Sequence, residues 1–384
     1  MKLLFLSDCF IHHQKPLADN LYDILGDGYR FVEMEPSLTD YRRSLGFKEY
    51  QVPYTIKYWG NEELIDRMIM DADVVICGEA PVRLVRKRLH AGKLTFRDDE
   101  RRYKGLIKYL KYPIYTWQSL SFNKGYLLAA SAYGARDYVI SGMKPGKCFK
   151  WGYFTEVKEI LDIDTFIESK KTDSSRNDSN AVSILWAGRL VELKHPEMVI
   201  EVARRLRNDG FNFHINIIGP GGLFDDLSAA VRKNSLDDYV SLLGQKMQDE
   251  VRTYMEKSEI FLFTSDEREG WGAVLNESMS SACAVIASHA AGSSPFLIKD
   301  GVNGFIFKSK DVDSLYSKVK QLVENESLRD RMCKNAYMTM RNLWNARTAC
   351  HNLLALSKAL LEGADTPILE GPCSRAEIIN HTWM

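Results

Sequence analysis

Residues 266–277 read DEREGWGAVLNE, and this stretch indicates the fold of the chain. The four residues 260–263 before it read IFLF, a short apolar run typical of a buried parallel strand. An apolar run compatible with a helix begins after Gly272. We therefore expect a strand-to-helix turn in which Glu269 precedes the helix and Glu277 lies within it. Two carboxylates in these places could each accept hydrogen bonds from neighbouring hydroxyls of one polyhydroxylated ligand.

The glycines of this turn, Gly270 and Gly272, would let a ligand come close to the backbone. The start of the following helix would offer unpaired N–H groups and the positive end of the helix dipole. Both features favour a ligand that carries negative charge or many hydroxyls.

The length and composition place the chain among ordinary globular proteins. Its 384 residues favour two domains, and 45% hydrophobic with 27% charged residues is a usual composition. The formal net charge of zero gives no sign of nucleic-acid binding. No apolar run reaches the roughly 18 residues of a membrane span, and residues 1–8 are predicted to be a first strand instead of a signal peptide. The seven cysteines contain no C-x-x-C pair, which predicts reduced thiols and argues against structural zinc.

Strand-like and helix-like segments alternate along the chain, which predicts parallel sheets covered by helices. The predicted fold class is α/β, with two doubly wound Rossmann-like units and a cleft between them. We expect a first domain over 1–169 and a second over 181–343. Residues 170–180 (KKTDSSRNDSN) contain no apolar residue and predict a linker or exposed loop. Residues 344–384 are expected to form a helix and tail that return toward the first domain.

Two cations follow the predicted strand at 182–186. Gly188-Arg189 comes directly after it, and Lys194 lies five residues beyond Arg189. Ligands of doubly wound folds bind at the carboxyl ends of the strands, so both cations are expected at the ligand site. Two fixed cations beside a glycine turn suit a diphosphate, whose charge grows when its bond to a sugar breaks. A solvated Arg and Lys on a loop is the open alternative.

Two further strand ends could approach a nucleotide. The glycine-rich turn at 219–222 begins with Gly219, and Leu243-Gly244 ends another predicted strand. A strand end of this kind could hydrogen-bond a base through its backbone, although glycine turns are common and each signal alone is weak.

Taken together, these motifs resemble the donor domain of the family 4 retaining glycosyltransferases, which have the GT-B fold. The resemblance covers residues 182 to about 361 and is weak before them. The stretches that carry it are Gly188-Arg189…Lys194, Glu269-Gly270-Trp271-Gly272…Glu277, and 291–295 (AGSSP) followed by 300–304 (DGVNG). Glu269 and Glu277 meet the E-x7-E spacing of that family.

The resemblance implies a role for each motif. Glu269 would hold hydroxyls of the transferred sugar, Glu277 the ribose hydroxyls, and Arg189 with Lys194 the diphosphate. Trp271 would lie beside the sugar and influence the choice of donor. The predicted catalytic residues are Glu269, Arg189 and Lys194. The predicted donor-binding residues are Gly188, Arg189, Lys194, Gly219, Leu243, Gly244, Glu269, Gly270, Trp271, Gly272 and Glu277.

The sequence departs from the family on the acceptor side. His12-His13-Gln14 stands where an early glycine pair is usual, and residues 97–101 stand near a missing histidine. Pro295-Phe296 replaces the usual Pro-Glu. The predicted acceptor-side residues are His12, His13, Glu79, Arg97 and Glu100. A plain loop role for the two histidines is the open alternative.

No metal or cofactor is expected. The acidic pairs Asp98-Asp99, Asp225-Asp226 and Asp237-Asp238 invite a metal interpretation, but a solvated surface is favoured for the last two. The resemblance to GT-B enzymes implies that protein cations and helix ends stabilise the leaving diphosphate without a metal.

Residues 82–111 contain eleven Lys and Arg against three Asp and Glu, a net charge of +8, with tyrosines interleaved. Such a stretch suits an anionic membrane surface or a lipid-linked pyrophosphate. A solvated basic face is an equal alternative. Nucleic acid is not favoured, because no base-reading motif accompanies the charge.

These observations favour a cytoplasmic, retaining glycosyltransferase, peripheral at the inner face of the membrane. It would move a hexose from a nucleotide diphosphate sugar to a hydroxyl of a glycan or lipid-linked acceptor, in cell-surface polysaccharide synthesis. Two alternatives stay open. One is a nucleotide-sugar 2-epimerase, since such isomerases share the GT-B architecture. The other is a non-catalytic subunit that binds a sugar nucleotide and activates a partner.

Overall fold

The computed structural model describes residues 1–37, 39, 49–101, 124–172 and 181–384. The predicted helix at 103–112 and the last third of the basic stretch, 102–111, lie outside the described residues, as do residues 173–180 of the predicted linker. The chain divides into two compact units. One comprises residues 1–156 with 344–383, and the other residues 157–343.

The first unit contains a seven-stranded sheet in which neighbouring strands run parallel. Its strands are β1 (Leu3–Ser7), β2 (Tyr29–Glu33), β3 (Thr55–Lys57), β4 (Val74–Cys77), β5 (Thr95–Asp99), β6 (Gly125–Ala129) and β7 (Cys148–Lys150). The strand order is β3-β2-β1-β4-β5-β6-β7. The order reverses between β1 and β4, which is the place where doubly wound sheets bind ligands. The helices between these strands are α1 (Lys15–Leu25), α2 (Glu62–Asp71), α3 (Arg86–His90) and α4 (Gly134–Ile140).

The second unit contains a six-stranded parallel sheet in the order β10-β9-β8-β11-β12-β13. Its strands are β8 (Val182–Ala187), β9 (Phe213–Ile218), β10 (Val240–Gly244), β11 (Ile260–Phe263), β12 (Ala284–Ser288) and β13 (Phe305–Phe307). Its helices are α5 (Ile163–Lys171), α6 (Glu197–Asn208), α7 (Phe224–Lys233), α8 (Gln248–Lys257), α9 (Val274–Ser280), α10 (Ser294–Leu297), α11 (Val312–Glu324) and α12 (Glu326–Asn342). The prediction of two doubly wound α/β units is confirmed.

The last helix, α13 (Ala346–Leu361), packs against α1 and belongs to the first unit. The tail after it also belongs to the first unit, where it lies along β7. Cys373 N donates to Lys150 O at 2.7 Å, and Lys150 N donates to Ser374 O at 2.8 Å. The tail thus pairs backbone groups that would otherwise be unpaired at the edge of the sheet.

The first unit ends at Glu156, earlier than the predicted boundary at residue 169. The reason is that α5 packs on the second unit. Lys170 at its end is 1% exposed, and its Nζ donates to three backbone carbonyl oxygens at 2.7–3.1 Å, those of Met255, Ser258 and Ser281. The prediction that Lys170 begins an exposed linker is therefore wrong, because the fold surrounds its ammonium group with carbonyls.

Within the described residues, no helix combines the length and the apolar character that a membrane span requires.

Candidate functional site

The loops after β8 and β9 pack backbone to backbone at the carboxyl edge of the second sheet. Gly219 N donates to Gly244 O at 2.9 Å. Gly219 has φ +147°, and a Cβ there would lie 1.8 Å from Gly188 O. A Cβ on Gly221 would lie 2.3 Å from Leu190 O. These glycines are therefore required by the contact between the two loops, whether or not a ligand also approaches them.

Two of the predicted site residues meet in this region. Lys194 lies in the 3-10 turn Glu192–Lys194 after β8, and Glu269 lies in the turn after β11. Lys194 Nζ forms a direct ion pair with Glu269 Oε2, and the two side chains are only 13% and 14% exposed. Lys194 Nζ also lies 5.9 Å from the ring centre of Phe263. The predicted phosphate-binding cation and the predicted sugar-binding carboxylate are thus partners when no ligand is bound.

Hydrogen bonds fix the backbone on both sides of this ion pair. Thr264 Oγ1 donates to Lys194 O at 2.5 Å, and Trp186 Nε1 donates to Thr264 Oγ1 at 2.8 Å. Asp266 N donates to Leu193 O at 2.9 Å. The loop after β8 is thereby joined to the loop after β11, so Lys194 and Glu269 project from one connected backbone.

His195 makes a second link between these loops, and the sequence analysis did not identify it. Its backbone is in the left-handed region, with φ +48°. Its Nε2 lies 3.0 Å from Asp266 Oδ2 and its Nδ1 lies 2.8 Å from Glu197 Oε1. These two hydrogen bonds raise the pKa of His195 to about 9, so it is charged at neutral pH. Its position next to Lys194 is the only signal in the sequence that could have pointed to it.

Asp266 is the centre of this second link, with its side chain 0% exposed. Arg268 Nη2 donates to Asp266 Oδ2 at 2.8 Å, and Lys310 Nζ lies 3.4 Å from the same oxygen. Burial alone would raise the pKa of Asp266, but the hydrogen bonds from His195 and Arg268 outweigh it and hold that pKa well below its usual range. A buried carboxylate with three cationic neighbours stays ionised and holds the loop after β11 in place.

The turn at 270–272 has a different construction from the predicted one. Gly272 has φ +87°, and a Cβ there would lie 2.3 Å from Phe263 Cζ, so glycine is required. The Trp271 side chain is 0% exposed, and its Nε1 donates to Asn276 Oδ1 at 2.8 Å. The prediction that Trp271 lies beside the sugar is therefore wrong for its side chain. The indole instead fixes the turn to α9.

Glu277 lies in α9 beside two residues of α8. Burial raises the pKa of Glu277 to about 7, against the opposing effects of Arg252 and of a hydrogen bond with Gln248. The Nε and Nη2 atoms of Arg252 are buried and make no hydrogen bond within the described part of the chain. Glu277 therefore changes charge near neutral pH, beside a guanidinium group that favours its ionised form.

The remaining predicted donor residues lie along the same sheet edge. Arg189 is exposed on the loop after β8. In β10 the pairing with β9 passes from Leu242 directly to Gly244, so Leu243 has no partner residue in the ladder. A bulge of this kind leaves backbone groups that can turn toward a ligand.

Residues 168–339 match the family model Glycosyl transferases group 1. The matched region contains all of the predicted donor-binding residues. Among curated relatives, the chain is 32% identical over 168 residues to the amylovoran biosynthesis glycosyltransferase AmsK of Erwinia amylovora, which covers 42% of this chain and 41% of that protein. It is 26% identical over 213 residues to an N-acetylgalactosaminyltransferase of Campylobacter jejuni that acts on a diphospho-undecaprenol-linked sugar. That match covers 55% of this chain and 54% of the Campylobacter protein. The chain thus spans about half the length of the curated relatives it matches, or less.

Solved structures are similar over nearly the whole chain. Anabaena HepE, crystallised with UDP, superimposes with a TM-score of 0.67 at 14% identity and covers 92% of this chain and 98% of its own. The lipopolysaccharide outer core galactosyltransferase WaaB superimposes with a TM-score of 0.60 at 16% identity, and the match covers 90% of this chain and 99% of WaaB. These likenesses establish the GT-B fold.

The first unit, outside the glycosyl transferases group 1 match, has a pocket of its own at the carboxyl edge of its sheet. The pocket has a volume of about 220 Å³ and is lined mainly by residues in or just after β1, β4, β5, β6 and β7. Of the five predicted acceptor-side residues, His13, Glu79 and Glu100 line it, whereas His12 and Arg97 do not. Arg97 is instead held within the fold, where its Nη1 donates to Ala80 O at 3.1 Å and its Nε lies 3.5 Å from Asp99 Oδ2.

The two histidines lie in the turn before α1, with their ring centres 3.8 Å apart. Burial lowers the pKa of His12 to about 4, and burial together with His12 lowers the pKa of His13 to about 3. Both imidazoles are therefore neutral at physiological pH. They can accept or donate hydrogen bonds, but they do not supply positive charge for a phosphate.

The basic stretch 82–111 is less basic at the surface than its composition predicts. Three of its described cations, Arg88, Arg97 and Arg101, point into the fold. Arg88 is 0% exposed and donates at 2.6–2.8 Å to the backbone carbonyls of Ile69, Ala72, Asp73 and Leu94. Arg101 is also buried, and its Nη2 lies 2.8 Å from His381 Nδ1 in the tail. The exposed cations of the described part are Arg83, Arg86, Lys87 and Lys93.

One acidic cluster of the second unit has the geometry of a metal site. Glu168, Glu326 and Asp330 bring three carboxylate oxygens within 4.8 Å of one another. Lys171 Nζ, however, lies 2.6–2.8 Å from all three side chains. The cluster is therefore an ion-pair network between α5 and α12, in which one ammonium group is shared by three carboxylates.

Proposed function

We propose that this chain is a retaining glycosyltransferase of family 4. It transfers a hexose from a nucleotide diphosphate sugar to a hydroxyl of a glycan or lipid-linked acceptor, in the synthesis of a cell-surface polysaccharide. The names of the curated relatives, which include enzymes of amylovoran, capsule and lipopolysaccharide core biosynthesis, support the polysaccharide context. We also propose that the protein works on the cytoplasmic side of the membrane, where its exposed basic residues in the stretch 82–101 face anionic lipid.

The observation that carries this proposal is the ion pair between Lys194 and Glu269. A nucleotide diphosphate sugar presents phosphate oxygens and sugar hydroxyls to either side of a single anomeric C–O bond. A cation and a carboxylate held next to each other suit that arrangement, because the cation can bind the phosphate and the carboxylate the hydroxyls. Glu277 lies in α9, the helix that follows the turn of Glu269, and its carboxylate accepts hydrogen bonds from the ribose hydroxyls.

The donor class agrees with what is known of a protein with the same fold. HepE has been crystallised with UDP and with UDP-glucose. In this chain the unpaired Leu243 in β10 provides backbone groups for the base, and Arg189 with Lys194 provides positive charge for the diphosphate. Since protein cations supply that charge, we propose that the reaction needs no metal and no other cofactor.

The proposed reaction replaces one bond of the anomeric carbon with another. The acceptor hydroxyl oxygen forms a bond to that carbon while the bond from the carbon to the diphosphate oxygen breaks. The electron pair leaves with the diphosphate, and Arg189 and Lys194 stabilise its added charge. The proton of the acceptor hydroxyl passes to an oxygen of the departing diphosphate. With this route, the chain needs no separate carboxylate as the general base.

The test is a donor screen on the purified chain. Thermal shift with nucleoside diphosphates and their sugars identifies the nucleotide, since a ligand at 100 times its dissociation constant stabilises by about 2.7 kcal/mol. The best donor is then incubated with candidate acceptors, and release of nucleoside diphosphate and formation of an α- or β-linked product are measured. The proposal predicts product with the anomeric configuration of the donor. Glu269→Gln should slow product formation. Its matched control is Glu324→Gln, which changes an exposed carboxylate on α11 and should keep the rate of the unchanged chain.

Two results would reject the proposal in favour of the alternatives. Conversion of the donor to its 2-epimer without an acceptor would indicate an isomerase. Tight donor binding without product, in the presence of acceptors that related enzymes glycosylate, would indicate a non-catalytic binding subunit.

A further inference from the structure

The pocket of the first unit has an unusual charge. Among the described residues, five carboxyl groups line it and no Lys or Arg side chain does; the five are Asp8, Glu79, Asp98, Asp99 and Glu100. The imidazole of His13, which also lines the pocket, has a pKa lowered to about 3 and is neutral. No three of these carboxyl groups converge closely enough to hold a metal ion. The described lining is therefore rich in carboxyl groups.

Aromatic side chains form part of the same lining. Trp151, Tyr153 and Phe154 follow β7 and all three border the pocket. The Tyr153 ring stacks on His13 with ring centres 5.7 Å apart, and its hydroxyl donates to Glu100 Oε1 at 2.5 Å. Aromatic rings beside carboxylates suit a sugar, whose C–H face packs on a ring while its hydroxyls donate to the oxygens. The volume of about 220 Å³ is below the roughly 300–1,000 Å³ of pockets for drug-sized ligands, which favours a single ring.

Asp98 differs from the other carboxyl groups of the pocket. The described residues make no hydrogen bond to its side chain, whereas Asp99 accepts from Tyr138 and Glu100 from Tyr153. Burial and the neighbouring Asp99 raise the pKa of Asp98 to about 8, against the opposing effect of Arg97. Asp98 is therefore largely protonated at neutral pH, and this half-buried group can both donate to and accept from the hydroxyls of a ligand.

We propose that this pocket binds one sugar ring through hydrogen-bond-donating substituents, hydroxyl or ammonium, and rejects sugars that carry a carboxylate or a phosphate. The inference rests on the proposed function in taking that ring to be part of the acceptor. It also follows that a pyrophosphate of a lipid-linked acceptor does not enter this pocket. Such an anion would meet repulsion from several carboxylates at once, and in a partly buried site each such repulsion costs a large factor in affinity.

The test measures binding of three methyl glycosides to the full chain, without donor, by saturation-transfer NMR at pH 7. The probes are a neutral hexoside, the corresponding 2-amino-2-deoxyhexoside and the corresponding hexuronoside. The neutral and amino probes should bind, and the uronoside should bind at least about tenfold more weakly. Tighter binding of the amino probe than of the neutral one would identify an ammonium group as the favoured donor, and equal binding would identify hydroxyls.

A double variant locates the effect in the pocket. In Asp8→Asn/Glu79→Gln two of the five carboxyl groups become amides, and the preference for the neutral probe over the uronoside should fall below about threefold. The matched control is Glu63→Gln, an exposed carboxylate on α2, which should keep the wild-type preference. The thermal midpoint and nucleotide affinity of each variant verify that it is folded.

Three outcomes would overturn this inference. They are equal binding of the uronoside, an unchanged preference in the folded double variant, and no binding of the neutral or amino probe by a chain that binds nucleotide normally. Failure of the proposed function looks different. In that case the glycosides bind with the expected preference while no nucleotide sugar binds or reacts.

Discussion

Lys194 and Glu269 form a direct, largely buried ion pair that joins the loop after β8 to the turn after β11. Each side chain neutralises the other in the absence of ligand, and both are fixed by the hydrogen bonds of Thr264 and Asp266 to the loop at 193–194. Binding of a sugar diphosphate therefore exchanges one set of partners for another. Lys194 gains phosphate oxygens as Glu269 gains hydroxyls, and the loops need little rearrangement.

The carboxylate of Glu277 should make nucleotide binding depend on pH. Its pKa is raised to about 7, and only the ionised form is a full acceptor for two ribose hydroxyls. Affinity for the nucleoside diphosphate should rise between pH 6 and pH 8. Glu277→Ala should weaken both the nucleoside diphosphate and the sugar nucleotide by roughly ten- to a hundredfold at pH 8, since a charged hydrogen bond is worth about 1.5–3 kcal/mol. Calorimetric titrations at three pH values measure both effects.

Glu277→Gln is the control for these titrations. Its side chain cannot ionise, so any dependence of nucleotide affinity on pH that this variant retains belongs to the phosphate or to other groups. Unchanged affinity in a folded Glu277→Ala variant would reject the ribose role.

His195 should stabilise the second unit in a manner that depends on pH. Its pKa is raised from 6.5 to about 9, so its stabilisation is complete below about pH 6.5 and is lost as the pH rises through about 9. His195→Asn keeps a residue that tolerates the left-handed backbone but removes the link to Asp266. We expect a loss of about 1.5–3 kcal/mol at pH 6 and a much smaller one at pH 10. Thermal unfolding of the unchanged chain and of His195→Asn between pH 6 and pH 10 measures this loss of stability. The control is His351→Asn, which changes an exposed histidine on α13. A difference that is constant with pH would contradict the charged link.

Lys170 should be essential for the stability of the second unit. Lys170→Met removes the ammonium group that donates to three buried carbonyl oxygens, although that of Met255 also accepts from Ser258 N. Because each buried group left unpaired costs about 1–3 kcal/mol, we expect a loss of about 2–6 kcal/mol in the free energy of unfolding. Urea unfolding followed by tryptophan fluorescence measures it. Lys233→Met, an exposed lysine at the end of α7, should have almost no effect, and equal stability of the two variants would contradict the buried role.

Transfer should survive removal of divalent metal. Arg189 and Lys194 are proposed to supply the positive charge that the leaving diphosphate needs. Product formation in excess EDTA should therefore match that of the untreated protein. Complete loss of activity that returns on adding manganese or magnesium would mean that the diphosphate is held in another way.

The sequence predicts the parts of this molecule that depend on periodic pattern. Apolar runs such as 260–263 form buried parallel strands, and the alternation of strands and helices produces the two doubly wound units. Glycines followed by charged residues after those strands also mark the sheet edge at which Lys194 and Glu269 meet. Residues that follow parallel strands lie at one edge, so this proximity follows from topology alone.

The sequence does not predict which side chains the fold encloses. Trp271 belongs to the predicted sugar-binding motif, but its side chain is buried and donates a hydrogen bond to Asn276. Lys170 begins a polar stretch of the sequence, but its ammonium group is buried inside the second unit. Arg88 and Arg101 count toward a basic stretch and yet are buried among backbone and tail groups. Each outcome depends on how the elements pack against one another, and local composition carries no information about that packing.

The most direct test of the account compares Glu269→Gln with Arg189→Ala. Each variant is titrated with nucleoside diphosphate, and its rate of transfer is measured with the best donor. Glu269→Gln should keep its diphosphate affinity, or gain up to about fivefold because Lys194 is released from its partner, a gain of about 1 kcal/mol. Its turnover should fall by about a hundredfold, since a sugar misplaced by about 1 Å loses that much. Arg189→Ala should weaken diphosphate binding and also slow transfer. If Glu269→Gln loses diphosphate affinity as severely as Arg189→Ala, the assignment of the sugar and phosphate ends of the site is wrong.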